Sequence, residues 1–139
     1  MTINEIQNSI IEEFAVFTEW MDKYEYLIEL AKSLAPYDEK YKTDKFLISG
    51  CQSRVWIYAR QEGETIKYVA DSDALIPKGL IALLTRVLSG QKPEDVLNAN
   101  LYFIDSIGLK DNMLPTRANG LLAMIKQMKL YAAAFAANT

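Results

Sequence analysis

Cys51 is the only cysteine among 139 residues, and the chain contains no histidine. It stands in the run Ile48-Ser49-Gly50-Cys51-Gln52-Ser53-Arg54-Val55-Trp56. A lone thiol closes no internal disulfide, so covalent chemistry at Cys51 involves a second molecule, with the sulfur as attacking thiolate or as carrier. Without histidine there is no Cys-His pair of the kind that cysteine hydrolases use. Exchange or carriage of sulfur therefore fits this thiol better than bond hydrolysis. Gly50 permits a sharp turn that brings backbone N–H groups near the sulfur, where they would stabilise a thiolate or a persulfide anion. Gln52 and Ser53 keep the loop polar, and Arg54 either adds positive charge or stands as a solvated side chain. A single cysteine is also, in general, often a small buried hydrophobe, so a structural Cys51 in a non-catalytic adaptor stays open on these residues alone.

Other cysteine chemistries fail on spacing. A phosphatase loop needs an arginine six positions after the cysteine, where Ile57 stands. A peroxide-reducing thiol needs a threonine three positions before it, where Ile48 stands. One cysteine and no histidine supply no soft tetrahedral set for zinc or an iron-sulfur cluster, so no resident metal or cofactor is expected. Among the carboxylates only Asp71 and Asp73, flanking Ser72, form a local cluster. Helix capping explains that cluster first and a role near the thiol second.

Composition restricts the partners. Half the residues are apolar, 24% are charged and the formal net charge is -3. That is an ordinary globular composition with no general attraction to nucleic acid or anionic membrane, and Trp20 and Trp56 lack the basic stripe of a base-stacking platform. The expected partners are proteins. Residues 1–139 read as one domain, long enough to bury roughly two-thirds of the surface of the unfolded chain. The first residues lack the basic and apolar regions of a signal peptide and no apolar run reaches the length of a membrane span, so a cytoplasmic location is expected, where a free thiol stays reduced.

The elements that must hold Cys51 follow from periodicity and punctuation. Thr2 with Glu5 makes a capping box, and Ile3, Ile6, Ile10, Phe14, Phe17 and Met21 give a helical stripe running to about Met21. Asp22 with Glu25 makes a second box, opening a helix with Tyr24, Leu27, Ile28, Ala31 and Leu34 on one side and Pro36 beyond its end. Phe46-Leu47-Ile48 reads as a short strand stopped by Ser49-Gly50. Arg54 to Gln61 and Thr65 to Ala70 read as two more strands, joined by a tight turn at Glu62-Gly63-Glu64. A third helix is expected from about Asp73 to Ser89, with Pro77 in its first turn and Gly90 after it. Short helices follow at Pro93 and near Phe103 to Ile107, and Pro115-Thr116 opens a C-terminal helix. The expected fold class is α+β, a small three-stranded antiparallel sheet packed against N-terminal and C-terminal helices.

Four blocks in chain order carry a resemblance. They are Trp20, Lys23-Tyr24 and Tyr26-Leu27-Ile28-Glu29-Leu30; Gly50-Cys51-Gln52-Ser53 with Val55-Trp56; Asp71-Ser72-Asp73-Ala74 with Lys78-Gly79-Leu80; and Pro115-Thr116-Arg117-Ala118-Asn119-Gly120-Leu121 with Ala123-Met124-Ile125. Together they resemble the SufE family of sulfur acceptors. The resemblance implies a SufE/IscU-like fold and a sulfur carrier without a cofactor of its own. It implies that Cys51 takes sulfur from the persulfide of a pyridoxal-phosphate (PLP) cysteine desulfurase, SufS-like, stimulates that enzyme, and passes the sulfur to a SufBCD-like iron-sulfur scaffold. A CsdE-like acceptor serving another pathway shares the same motifs. The resemblance also implies a cysteine tucked into an apolar pocket at rest, with Arg117 and the Asp71-Ser72-Asp73 junction near its loop. Pro77, Ala70 and Leu114 depart from the residues more usual in the family at those places.

Overall fold

A computed structural model describes residues 1–138. Its elements are α1 (Ile3–Ala15), α2 (Trp20–Ala31), β1 (Val55–Glu62), β2 (Thr65–Ser72), α3 (Leu75–Leu88), α4 (Pro93–Asn98), α5 (Phe103–Ser106) and α6 (Pro115–Ala137), with short 3-10 turns at Glu39–Tyr41 and Lys110–Asn112. The capping box forms: Thr2 Oγ1 accepts from Glu5 N–H at 3.1 Å, and Glu5 accepts from Thr2 N–H at 3.0 Å. The helix it opens stops at Ala15, short of the expected end. Phe17 N–H donates to the Phe14 carbonyl in a closing turn. Met21, read as the last position of the first stripe, lies on the next helix and is exposed. The second capping box is not used. Glu19 is the N-cap of α2 without a side-chain bond, and Asp22 sits inside the first turn as a negative charge near the helix N-terminus.

α3 is the hub. Nine of its residues are buried, from Pro77 to Leu88, so it is apolar around most of its circumference and packs against α1, α2, β2 and α6. Gly79 allows the approach of α2: a Cβ there would lie 2.4 Å from the Leu27 carbonyl oxygen.

β1 and β2 pair antiparallel from Val55↔Ser72 to Glu62↔Thr65. Gly63 and Glu64 form the turn. Gly63 takes φ +62, while among the described residues no other kind of residue has a positive φ, the pattern of a two-residue hairpin with glycine first. The expected third strand is absent, and the sheet among the described residues has two strands. The reason lies in the backbone donors of Phe46-Leu47-Ile48. Phe46 N–H and Leu47 N–H turn back to the Thr43 and Asp44 carbonyls, at 3.1 and 3.4 Å. Only Ile48 N–H reaches β1, at the Val55 carbonyl, while the Phe46 carbonyl accepts from Ile57 N–H. One bridge, Leu47↔Trp56, is what remains of the strand.

Two tyrosines tie α6 to the hairpin. Tyr68 donates from β2 to the Met128 carbonyl at 2.6 Å, and Tyr131 donates back from α6 to the Ile57 carbonyl at 3.0 Å. The first of these bonds is buried. These bonds fix the long helix over β1, and its N-terminal half then passes beside the loop that precedes β1.

Candidate functional site

The cysteine loop, residues 49–54, is anchored at both ends. At its start Gly50 adopts φ +92, a conformation that residues with a Cβ rarely adopt, and its Cα faces α6 at Ala123. At its end Arg54 is held through its backbone. Arg54 N–H donates to Asp73 Oδ1 at 3.0 Å, and the Arg54 carbonyl accepts from Asp73 N–H at 3.2 Å and Ser72 Oγ at 2.8 Å. The junction expected mainly to cap α3 therefore does other things. The N-cap of α3 is Ala74, whose methyl group cannot cap, and the Asp73 carboxylate accepts from the loop instead.

Asp71 does not join this group. It accepts from Ser72 N–H and pairs with Lys42 at 3.1 Å and Lys78 at 3.3 Å, tying the end of β2 to the preceding loop and to α3. Its carboxyl lies below its ordinary pKa: burial pushes it up, and the Ser72 N–H and the two lysines outweigh that. The Arg54 side chain is exposed.

Cys51 is half-buried between the loop and α6. Its thiol donates a weak bond to the Gly120 carbonyl at 3.6 Å, and no backbone N–H donates to the sulfur among the described residues. The loop thus shelters the neutral thiol, whereas the sequence suggested donors for an anion. Burial pushes the Cys51 pKa above its ordinary value, and a thiol that donates to a carbonyl is biased in the same direction. Alkylation by iodoacetamide should therefore reach half its plateau at a higher pH than for a free cysteine. Adding urea should restore the ordinary midpoint, and an unshifted midpoint in the folded protein would contradict the sheltered thiol.

The sulfur borders a cavity of about 90 Å³ lined by Cys51, Gln52, Ser53, Arg117 and Gly120, with Pro77, Leu80, Leu114 and Met124 as its apolar wall. Pro77 and Leu114, which the resemblance set apart in the sequence, both line the thiol's surroundings. Arg117 is the only charged residue lining the cavity and makes no ion pair among the described residues. Gly120 is the residue that sequence reasoning passed over. A glycine inside a helix costs about 0.5–1 kcal/mol relative to alanine, and this cost within the helix-forming run around it was the available signal. A Cβ at residue 120 would meet Cys51 first, with Sγ at 3.5 Å.

Asp73→Ala removes the acceptor that closes the loop. Loss of one charge-assisted bond on an exposed residue should raise the alkylation rate of Cys51 about tenfold at most. An unchanged rate in a folded variant would mean that Asp73 does not hold the loop.

No group of three or more metal-ligating side chains occurs among the described residues, and no helix among them is long and apolar enough to cross a membrane. Residues 8–132 match the family model described as SufE, an Fe-S metabolism associated domain. A SufE-like protein of Rhizobium meliloti is 34% identical over 127 residues, covering 88% of this chain and 91% of the relative. A SufE-like protein of Synechocystis is 37% identical, covering 91% and 79%. The chloroplastic/mitochondrial SufE-like protein 1 of Arabidopsis thaliana is 39% identical over 86% of this chain, a region that makes up 33% of the plant protein. The solution structure of a hypothetical protein from Thermus thermophilus superposes with a TM-score of 0.76 at 22% identity, covering 93% of this chain and 94% of that one, and shows the same fold. The chain belongs to the SufE family.

Proposed function

We propose that Cys51 accepts the outer sulfur of a cysteine desulfurase persulfide, carries it as a persulfide and hands it on for iron-sulfur cluster assembly. The observation that carries this reading is a single thiol on a loop held at its far end by Asp73, bordering a small cavity whose one charged lining residue, Arg117, makes no ion pair among the described residues. In the transfer step the Cys51 thiolate attacks the outer sulfur of the donor persulfide. A new S–S bond forms at Cys51, the donor's S–S bond breaks, and the donor's inner sulfur leaves as thiolate. No electrons are gained or lost overall. The chain has no histidine to serve as base, so the thiol proton leaves to solvent or to the partner once the loop opens and the bond to the Gly120 carbonyl is given up.

Sheltering at rest suits this cycle, because a persulfide exposed to solvent is open to stray thiols and oxidants. The partners are a SufS-like desulfurase, which carries the PLP, and a SufBCD-like scaffold. A CsdE-like role, with the sulfur routed to another acceptor, uses the same chemistry. The setting is a compartment that keeps thiols reduced, the cytoplasm in a bacterium.

The Arg117 guanidinium lines the cavity and offers several N–H donors to a persulfide anion. Arg117→Ala should slow loading of radiolabelled sulfur from L-cysteine onto Cys51 about tenfold, the worth of one charged hydrogen bond. The comparison uses a desulfurase and equal concentrations of the two forms. Equal loading rates would remove Arg117 from the site, and no loading of the unaltered protein would remove the proposed function.

A further inference from the structure

We propose that Gly120 keeps open the space into which the outer sulfur of a Cys51 persulfide folds, making it the positioning residue for the loaded form of the protein. The inference rests on the reading of Cys51 as a persulfide carrier. Gly120 is buried within α6, and its φ is not positive, so the backbone does not call for glycine. What the absent side chain would touch is specific. An added Cβ would lie 3.5 Å from Cys51 Sγ, 3.9 Å from its Cα and 4.0 Å from its Cβ, the nearest atoms apart from its chain neighbours and the adjoining backbone of α6.

All three are ordinary contact distances, so the empty thiol tolerates a methyl group at residue 120. The loaded form differs. A second sulfur stands about 2.05 Å from the first. The thiol points its proton at the Gly120 carbonyl oxygen, 3.6 Å away. A sulfur placed along that line would fall far inside contact distance of the oxygen, so the outer sulfur must turn aside into the cavity. Gly120 lines that cavity together with Leu80, Met124 and Arg117, and its volume is about 90 Å³. A water molecule's share of liquid volume is about 30 Å³, so the cavity has room for one extra sulfur, and a sulfur bonded to Sγ must occupy the part of it beside Sγ. A methyl group on residue 120 would project toward the same sulfur and contest that space.

The test separates the two forms of one cysteine in Gly120→Ala and the unaltered protein. Cys51 is loaded without any desulfurase by inorganic polysulfide: the thiolate attacks a polysulfide sulfur, and a polysulfide one sulfur shorter leaves. Each empty form is timed against iodoacetamide. Each loaded form is timed against dithiothreitol, whose thiolate removes the outer sulfur and in closing its own disulfide releases hydrosulfide. The empty thiols should alkylate at equal rates. The loaded variant should lose its sulfur about tenfold faster, the shift that overpacking by one methyl group brings at the low end of its range. A variant that cannot be loaded although its thiol alkylates normally supports the proposal equally. Equal stripping rates would overturn it. So would a variant in which thiol and persulfide are both exposed to the same degree, since that describes a loosened loop. Should polysulfide load Cys51 while a desulfurase and L-cysteine do not, the proposed partner fails and the role of Gly120 stands.

Discussion

Replacing Cys51 by Ser is expected to reduce sulfur acceptance to the limit of detection while leaving the fold and docking to a desulfurase intact. A hydroxyl is close to a thiol in size, and the half-buried position beside Gly120 accommodates it. As a sulfur nucleophile at neutral pH it is of no use. Binding and chemistry therefore separate in this variant. Titration of a desulfurase with the serine form should give the same affinity as the unaltered protein. Desulfurase turnover without added reductant should fall to the level seen without any acceptor. A serine form that still raised turnover under those conditions would show that sulfur does not pass through this side chain.

The largest expected effect on stability comes from Gly79→Ala. The new Cβ would lie 2.4 Å from the Leu27 carbonyl oxygen and 2.9 Å from its carbon, and both are backbone atoms of α2. No flexible side chain can yield there, so α2 and α3 must separate where they pack most closely. Overpacking of this kind costs about 2–3 kcal/mol, which for a chain of this length lowers Tm by roughly 10 °C. Thermal unfolding followed by circular dichroism measures it. A Tm equal to or above that of the unaltered protein, as alanine's better helix propensity alone would give, would contradict the close approach.

Whether an element could be read from the sequence depends on the distance over which its signal acts. Local signals gave correct elements: the Thr2–Glu5 capping box, the glycine-first hairpin turn and Pro115 in the first turn of α6 all depend on residues a few positions apart. Competing local signals gave the errors. Phe46-Leu47-Ile48 has strand-forming side chains, yet two of its N–H groups close turns on Thr43 and Asp44, and the third strand is reduced to a bridge. Asp73 has the right type and place for a helix cap, but its carboxylate accepts from Arg54, 19 residues earlier. The site follows the same division. Cys51 was legible because it is unique in the chain. Its contact with Gly120, 69 residues away, was not, since it depends on where α6 is laid over the hairpin by Tyr68 and Tyr131. Pro77 and Leu114 stood out as departures from the usual pattern, and only the fold shows that both line the cavity.

The central claim is that Cys51 carries one sulfur taken from a desulfurase. Incubation with a cysteine desulfurase and L-cysteine, followed by mass spectrometry of the intact protein and of its peptides without reduction, tests it most directly. The expected result is a gain of roughly 32 Da, one sulfur, confined to the peptide containing Cys51 and reversed by dithiothreitol. An unchanged mass beside a desulfurase that is visibly turning over L-cysteine, or sulfur found on a peptide without Cys51, would contradict it.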